Sequence, residues 1–530
     1  MQEKMKIRHA VALLLLLQFC LNTVLSIAST SCPSLCQCFS ATTVICSDPL
    51  MKAMPVDIPV QTTVLIVLAS GVRKITIQKC LGNLTKLVFL SNPVQNVSHD
   101  AFKGLTSLEE LEISGSHLLA LEAGTFNKLD KLTKLLLNNN KITLLAPSIF
   151  DSLEKLETLQ LRGNLLASLH SDLFHKLYNL QELNLSSNKL STICTSKLRK
   201  LKKLDLGLNQ ITFLCLNTFS GNPQLQILSL QGNQITKIAP GIFSQLNNLE
   251  ELNLRDNKIT ALNAGLFPSS LKKLTLRGNS LIQLSSAAFT GLHNLTHLDL
   301  SQNLVSSLPA ELFQNLSSLE HLDLSENALQ ELASTVFRGL LRIRVIDLQK
   351  NNLTSLEADL FTDQGMMSRL SLARNRLENL PYGVFELLDF ECLLRLGGNP
   401  WRCDCDLTYF HEWLYYNSNT VEDLSQVYCT NPPPLRGVSL TTMNKEQLVC
   451  VNRSISKTQS TTNLATDSDR QCSLQEANGG IVVTCKLMKC TDLKLDVYLH
   501  QANGRTFDYT LSQPWSESVL CLNGTVILTV

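Results

Sequence analysis

Leucines recur along most of this chain in a fixed pattern of apolar and polar positions. From Leu84 onward the pattern reads L-x-x-L-x-L-x-x-N-x-L, where x is any residue. It repeats every 24 residues, except for a spacing of 21 from Asn188 to Asn209 and of 22 from Asn257 to Asn279. The asparagine position falls at Asn92, Ser116, Asn140, Asn164, Asn188, Asn209, Asn233, Asn257, Asn279, Asn303, Asn327, Asn351, Asn375 and Asn399. This regularity predicts one structural unit stacked many times.

Each repeat predicts one short strand followed by turns. Alternating leucines such as Leu298 and Leu300 point to the same side of a strand, so stacked repeats build a parallel sheet over a leucine core. Each Asn is expected to turn inward and bond backbone groups that otherwise lack partners. A Phe stands ten residues after the Asn position in most repeats, although the short repeat has Leu198 there. We expect these Phe side chains to fill the wider side of the core.

These features identify the chain as a member of the extracellular leucine-rich-repeat class. The expected fold is an α/β solenoid, a leucine-rich-repeat horseshoe with a parallel concave β-sheet, disulfide caps at both ends and a small C-terminal β module. We expect a signal peptide over 1–28, an N-terminal cap over 29–58, about 15 coils over 59–397, a C-terminal cap over 398–450, a Ser/Thr-rich linker over 451–471 and a four-Cys β-rich module over 472–530. Strands of the module are predicted at 480–484, 493–499, 506–511 and 525–530.

The N-terminus and the cysteines predict a secreted, extracellular protein. Basic residues precede an apolar run over 11–17, which is typical of a signal peptide and too short for a membrane-spanning helix. Most of the 17 cysteines form three sets of four: Cys32, Cys36, Cys38 and Cys46; Cys403, Cys405, Cys429 and Cys450; Cys472, Cys485, Cys490 and Cys521. Such sets predict disulfides. Zinc binding is the competing interpretation, which the single residue between Cys403 and Cys405 disfavours.

Four cysteines of the mature chain lie outside these sets. Cys194 and Cys215 each follow the Asn position of their repeat by six residues. Adjacent coils lie about 5 Å apart, so we predict a disulfide between them, with two buried thiols as the alternative. Cys80 and Cys392 stand near opposite ends of the solenoid, and each is expected to be a buried thiol or an intermolecular link.

Both cysteine-rich segments resemble the caps of extracellular leucine-rich-repeat proteins. That resemblance implies the pairs Cys32–Cys38, Cys36–Cys46, Cys403–Cys429 and Cys405–Cys450. The combination of two caps, regular coils, the stretch 444–450, a polar linker and a four-Cys tail resembles the non-catalytic regulatory subunits of plasma zinc metallocarboxypeptidases. This second resemblance implies a glycosylated plasma subunit that binds and stabilises a metallocarboxypeptidase catalytic subunit. The partner would carry the zinc and remove C-terminal Lys or Arg from peptides.

The sequence contains no familiar catalytic motif, so we expect neither an enzyme nor a bound cofactor or metal. The sequence contains no H-E-x-x-H, G-x-S-x-G or phosphate-loop pattern. With 46 basic and 45 acidic residues the formal net charge is +1, which argues against nucleic-acid binding. No later stretch is long enough for a membrane span. A non-catalytic binding protein is the remaining expectation.

One set of polar residues on adjacent predicted strands stands out as a partner-contact hypothesis. Equivalent positions of neighbouring coils carry two His and three Asp, which would form an acidic ladder with two imidazoles on the concave face. The six residues of this set are His297, Asp299, Glu320, His321, Asp323 and Asp347. A solvated sheet face and, less favoured, a cation site are the alternatives. A basic cluster over 197–203 is interpreted as a solvated face.

Eight N-glycosylation sequons occur in the chain, at Asn83, Asn96, Asn184, Asn294, Asn315, Asn352, Asn452 and Asn523. Asn184 is expected to point out of the concave sheet, where a glycan would direct a partner toward the C-terminal coils. Two other functions stay open: a serum carrier that resembles the acid-labile-subunit type, and a soluble innate-immune recognition module.

Overall fold

The computed structural model describes residues 32–77, 81–193 and 198–450, together with the backbone of six strands between 471 and 529. The chain divides into two units, Met1–Val451 and Asn452–Val530. Several features expected from the sequence lie outside the described residues. They are the signal peptide, the linker up to residue 470, Cys80, Cys194, Cys490, Asn452 and Asn523.

One sheet of 17 strands runs through the first unit. The first two strands form an antiparallel hairpin, and every later strand pairs in parallel with its predecessor, as Leu298 does with Leu274 and Leu322. The strands are Cys36–Ser40, Thr43–Cys46, Val64–Leu68, Lys86–Leu90, Glu110–Ser114, Lys134–Leu136, Thr158–Gln160, Glu182–Asn184, Lys203–Asp205, Ile227–Ser229, Glu251–Asn253, Lys273–Thr275, His297–Asp299, His321–Asp323, Val345–Asp347, Arg369–Ser371 and Leu393–Arg395. A separate parallel pair joins Asn96–Val97 to Ala120–Leu121. The predicted solenoid of parallel strands is confirmed.

The repeated Asn holds neighbouring coils together, as predicted. Asn303 is buried, and its Nδ2 donates to the carbonyl oxygens of Leu276 and Leu300 at 3.0 Å each. Its Oδ1 accepts the backbone N–H of Leu281 at 3.1 Å. Because an unpaired backbone group in this core would cost about 1–3 kcal/mol, one side chain offsets several such costs. Ser116 stands at the same position but is too short for this role, and its Oγ has no hydrogen-bond partner in the described part of the chain.

The side of each coil opposite the sheet consists of turns, and phenylalanine rings stack along it. Phe313 lies between Phe289 and Phe337, with ring centroids 6.4 and 6.3 Å apart. The stack stops before the short repeat, where Leu198 takes the Phe position, and resumes at Phe219. Within the described residues the one α-helix is Thr408–Asn417 in the C-terminal cap, so the coils themselves contribute strands and turns.

Two disulfides lie in each cap. Cys32 is bonded to Cys38 and Cys36 to Cys46, while Cys403 is bonded to Cys429 and Cys405 to Cys450. Trp401 is fully buried beneath the C-terminal cap, 4.6 Å from the ring of Phe410 in the helix. The cap also contains short 3-10 helices at Cys405–Leu407, Ser418–Thr420, Leu424–Gln426, Pro433–Leu435 and Lys445–Gln447.

The C-terminal cap also covers the open edge of the last strand. Asp423 accepts the backbone N–H groups of Leu396 and Gly397, at 2.9 and 2.8 Å. Glu422 binds both Arg369 and Arg395, at 2.8 and 2.6 Å. The bonds of Asp423 satisfy backbone groups that an uncapped sheet edge would expose, and the ion pairs of Glu422 tie the cap to the last two strands.

The predicted disulfide between Cys194 and Cys215 is wrong, because Cys215 carries a free thiol. The physical reason is the direction of the side chain. The sixth position after the Asn faces solvent in this coil, as it does at Glu122 and His170, so the thiol of Cys215 lies on the surface. Cys392 is a buried free thiol, one of the two states expected for it.

The second unit contains two antiparallel sheets. A four-stranded sheet has the order Gln471–Ala477, Gly480–Lys486, Thr525–Thr529, Val519–Leu522, and a hairpin pairs Leu495–His500 with Thr506–Leu511. The sequence predicted four of these strands but missed Gln471–Ala477 and Val519–Leu522. Both lack a clean run of β-branched residues, and the first begins inside the stretch interpreted as linker.

Candidate recognition surface on the sheet

The open face of the sheet presents one residue from each coil at the position four before the Asn. Neighbours in this row stand directly opposite each other, since Thr275 pairs with Asp299, Asp299 with Asp323, and Asp323 with Asp347. We call the three aspartates Asp299, Asp323 and Asp347 the carboxylate ladder. The structure therefore brings together the acidic residues that the sequence placed on adjacent rungs.

Each ladder carboxylate first performs a local structural task. Oδ1 of Asp299 accepts the backbone N–H of Ser301 at 3.0 Å, and Oδ1 of Asp323 accepts that of Ser325 at 2.9 Å. Asp347 makes the same bond to Gln349 at 2.9 Å. This two-residue turn satisfies a backbone donor at the end of each strand.

Other coils make this turn with either a neutral or a charged side chain. Asn184 and Asn253 bond the backbone N–H two residues on, at 2.9 and 3.0 Å, and Asp205 does so at 2.9 Å. An amide oxygen therefore suffices for the turn. The negative charge of the ladder is not required by the fold.

Burial makes the ladder charge costly. The pKa of Asp323 and that of Asp347 are both raised, chiefly because burial disfavours the charged form. The neighbouring carboxylate of Asp299 raises the pKa of Asp323 further, and that of Asp323 raises the pKa of Asp347. Bonds from the turn donors oppose these shifts.

No Lys or Arg in the described residues forms an ion pair with the ladder. Charged residues elsewhere on the same face are paired across coils. Examples are Lys203 with Glu182 at 2.8 Å and Lys273 with Glu251 at 3.0 Å. The ladder is thus a set of half-buried carboxylates without a direct ion pair in the described residues, and the more distant charges of Arg277 and Arg395 lower the pKa of Asp323 and of Asp347 only as minor effects.

The two histidines stack beside the ladder. His297 pairs in register with His321, and their ring centroids are 4.4 Å apart. The pKa of His297 is lowered, first by burial and then by the charges of His321 and Lys273. Because the pKa of His297 lies below its usual value, the ring is neutral at physiological pH. Two stacked imidazoles give the ladder one flat, partly apolar edge.

Glu320, the sixth predicted residue, directly precedes the strand His321–Asp323. Its charge acts on His297 by raising that pKa, which opposes the larger effect of burial. The six predicted residues therefore occupy three adjacent coils. The sequence missed Arg277, whose Nη1 donates to Ser301 at 3.0 Å and whose charge lowers the pKa of Asp323. Arg277 occupies the repeat position equivalent to Ser301 in the preceding coil, and this equivalence could have predicted the contact.

Three lysines of the basic cluster contact side chains of the preceding coil. Lys203 pairs with Glu182, while Lys200 and Lys202 donate to the side chains of Asn179 and Gln181 at 2.7 and 3.0 Å. These contacts favour the solvated-face interpretation.

Neither a metal cluster nor a membrane-spanning helix occurs in the described residues. Ranges 32–77, 81–193 and 198–450 contain no group of three or more His, Cys, Asp or Glu side chains arranged to hold a metal ion. No helix there has the length and apolar character needed to cross a bilayer.

A family model described as "Leucine rich repeat" matches this chain at overlapping positions from residue 82 to residue 377. These matches cover more than half of the sequence. The chain belongs to the leucine-rich repeat family.

Among curated proteins, the chain is similar to carboxypeptidase N subunit 2. The human protein is 34% identical over 151 residues, which cover 26% of this chain and 27% of that protein. The mouse protein is 34% identical over 156 residues, which cover 27% and 28%. Human reticulon-4 receptor-like 2 is 32% identical over 109 residues, 20% of this chain and 26% of that protein. The matched segments span about a quarter of the length of these relatives.

Two solved structures show the same fold. A leucine-rich-repeat protein of Leptospira interrogans is 27% identical with a TM-score of 0.60, over 69% of this chain and 92% of the other. The structure of TLR13 in complex with ssRNA13 is 25% identical with a TM-score of 0.60, over 73% and 61%.

Proposed function

We propose that this chain is a secreted, non-catalytic binding subunit that associates with a plasma zinc metallocarboxypeptidase catalytic subunit, stabilises it and keeps it in circulation. The similarity to carboxypeptidase N subunit 2 supports this choice of partner. The zinc and the reacting groups belong to the partner in this proposal. The present chain contributes a binding surface.

The carboxylate ladder is the proposed contact, and its lack of direct ion pairs carries the argument. Asp323 and Asp347 are held in a half-buried place where charge is disfavoured, although an Asn would serve the turn equally well. A partner that places Lys or Arg side chains over the ladder would supply such ion pairs. Desolvated charge pairs of this kind contribute to affinity and fix the register of two surfaces.

The glycosylation sequon at Asn184 is consistent with a partner that binds at the carboxylate ladder. Asn184 stands in the same row as the ladder, several coils earlier, and is half-buried. A glycan there would occupy the middle of the open face. The ladder coils would remain accessible.

Reconstitution tests this function. The purified full-length secreted chain is mixed with a purified plasma metallocarboxypeptidase catalytic subunit at about 1 μM, a concentration at which a specific complex forms. Size-exclusion chromatography with light scattering should show a complex, and carboxypeptidase activity should decay more slowly at body temperature. No complex and no change in the decay would reject the proposal. Mass spectrometry of proteins captured from plasma would then reveal a carried hormone complex or a microbial ligand instead.

A further inference from the structure

A cavity of about 220 Å³ lies between the last coil and the helix Thr408–Asn417. Phe385, Leu388 and Leu394 line it from the coil, and Trp413 lines it from the helix. The rings of Phe385 and Trp413 are 5.1 Å apart. Ligand sites for small molecules usually measure about 300–1,000 Å³, so this cavity is the size of a single long side chain.

Two carboxylates, Glu386 and Asp389, also line this apolar cavity. Both residues are exposed, and neither has an ion-pair partner within ranges 32–77, 81–193 and 198–450. Two carboxylates of the C-terminal cap differ in this respect. Glu412 pairs with Lys445, and Glu422 pairs with Arg369 and Arg395. The negative charge of Asp389 reaches the cavity wall, where it adds to the effect of burial in raising the pKa of Cys392 to about 12.

The two segments that line the cavity also carry large exposed side chains. Phe390 lines the cavity and is 92% exposed, and Leu387 in the same segment is 60% exposed. Tyr416 stands one helical turn after Trp413 and is 79% exposed. Exposed aromatic residues around a pocket are typical of protein interaction sites rather than of free surface.

We propose that this cavity receives a lysine or arginine side chain presented by a protein partner. The aliphatic stem would pack against Leu388, Leu394 and the aromatic rings, while the cationic head would lie between Glu386 and Asp389. The cavity lies on the turn side of the last coil, away from the carboxylate ladder. It therefore forms a second contact surface that is independent of the proposed ladder interface.

A small probe measures this site without knowledge of the partner. N-acetyl-L-arginine amide carries the proposed side chain, and N-acetyl-L-norleucine amide carries an uncharged aliphatic stem without the cationic head. For a ligand of this size, the arginine probe should bind with a Kd on the order of 1 mM. Saturation-transfer NMR on the full-length secreted chain should show saturable binding of the arginine probe and none of the norleucine probe.

Matched variants assign the binding to the cavity. The double variant E386Q/D389N keeps the shape of both side chains and removes both charges, so binding should weaken at least fivefold. Glu391 is an exposed carboxylate outside the cavity lining, and E391Q should leave binding unchanged. The proposal is overturned if the arginine probe does not saturate, if norleucine binds equally well, or if E386Q/D389N retains the affinity of the wild type. Failure of metallocarboxypeptidase binding would leave these results unaffected.

Discussion

The middle coils, with strands from Glu182–Asn184 to Lys273–Thr275, and the later coils, with strands from His297–Asp299 to Val345–Asp347, share one backbone structure but differ in how their charged side chains are paired. In the middle coils, Lys203 pairs with Glu182 and Lys273 with Glu251, so each coil neutralises its neighbour. In the later coils, Asp299, Asp323 and Asp347 repeat the same sign on three successive rungs without a direct ion pair in the described residues. The contrast separates what the solenoid needs from what it offers to a partner. Stability requires the buried Leu and Asn layers in both regions, whereas three successive carboxylates of this row occur in the later coils.

The largest expected effect is a loss of stability that is equal in the two regions. Asn209 and Asn303 make the same four hydrogen bonds to backbone groups in a middle and a later coil. Replacing either by Ala leaves buried groups unpaired, and we expect each variant to lose about 3 kcal/mol in free energy of unfolding. Urea unfolding measures this. The exposed Asn217 in N217A is the control, with an expected change within about 0.5 kcal/mol. A large loss in one region alone would show that the two scaffolds differ.

A smaller effect should distinguish the ladder from the middle coils by its pH dependence. The folded pKa values of Asp323 and Asp347 are raised, so the folded state takes up protons more readily than the unfolded state as the pH falls. The charged ladder therefore costs stability above these raised pKa values, and the cost disappears below the unfolded ones. D323N/D347N should be more stable than the wild type at neutral pH by less than about 1 kcal/mol. Its advantage should shrink as the pH falls and vanish below about pH 4. Thermal melts at both pH values measure the difference, and an advantage that grows on acidification would contradict the ladder's assigned charge state.

The smallest effect lies at the border between the two regions. Lys273 pairs with Glu251 and lowers the pKa of His297 in the adjacent coil. K273M should change the free energy of unfolding by less than about 0.5 kcal/mol, because the ion pair is exposed. It should raise the pKa of His297, which an NMR titration of the imidazole follows. K237M, which removes an exposed lysine elsewhere, should leave that pKa unchanged. If the pKa of His297 is unchanged in K273M, Lys273 does not mark the border between the two regions.

The coils could be predicted from the periodicity because each repeated Leu and Asn occupies the same local environment in every coil. The repeat spacing of 24 residues also aligned Asp299 with Asp323 and His297 with His321. It did not show that the ladder carboxylates cap turns, although Asn253 and Asp205 at the same position carried that signal. Pairing such as Glu182 with Lys203 was also readable across the repeat, since the two residues occupy equivalent positions.

Side-chain direction and irregular packing were beyond the sequence pattern. Cys194 and Cys215 share a repeat position, yet Cys215 points to solvent with a free thiol. The cavity beside Trp413 arises where the cap helix meets the last coil, a junction that occurs once and therefore leaves no periodic trace. Predictions from a repeat succeed where neighbours are identical and fail where the chain departs from the repeat.

The most direct test of the ladder as the partner contact removes its charge and keeps its turns. D299N/D323N/D347N retains the oxygen that accepts each backbone N–H, as Asn184 and Asn253 do naturally. D205N makes the same change in the same row, in a middle coil, and is the matched control. The measurement is the Kd for the metallocarboxypeptidase catalytic subunit by surface plasmon resonance. We expect the triple variant to bind at least about tenfold more weakly and D205N to bind like the wild type. Wild-type affinity in the triple variant would contradict the ladder as the interface.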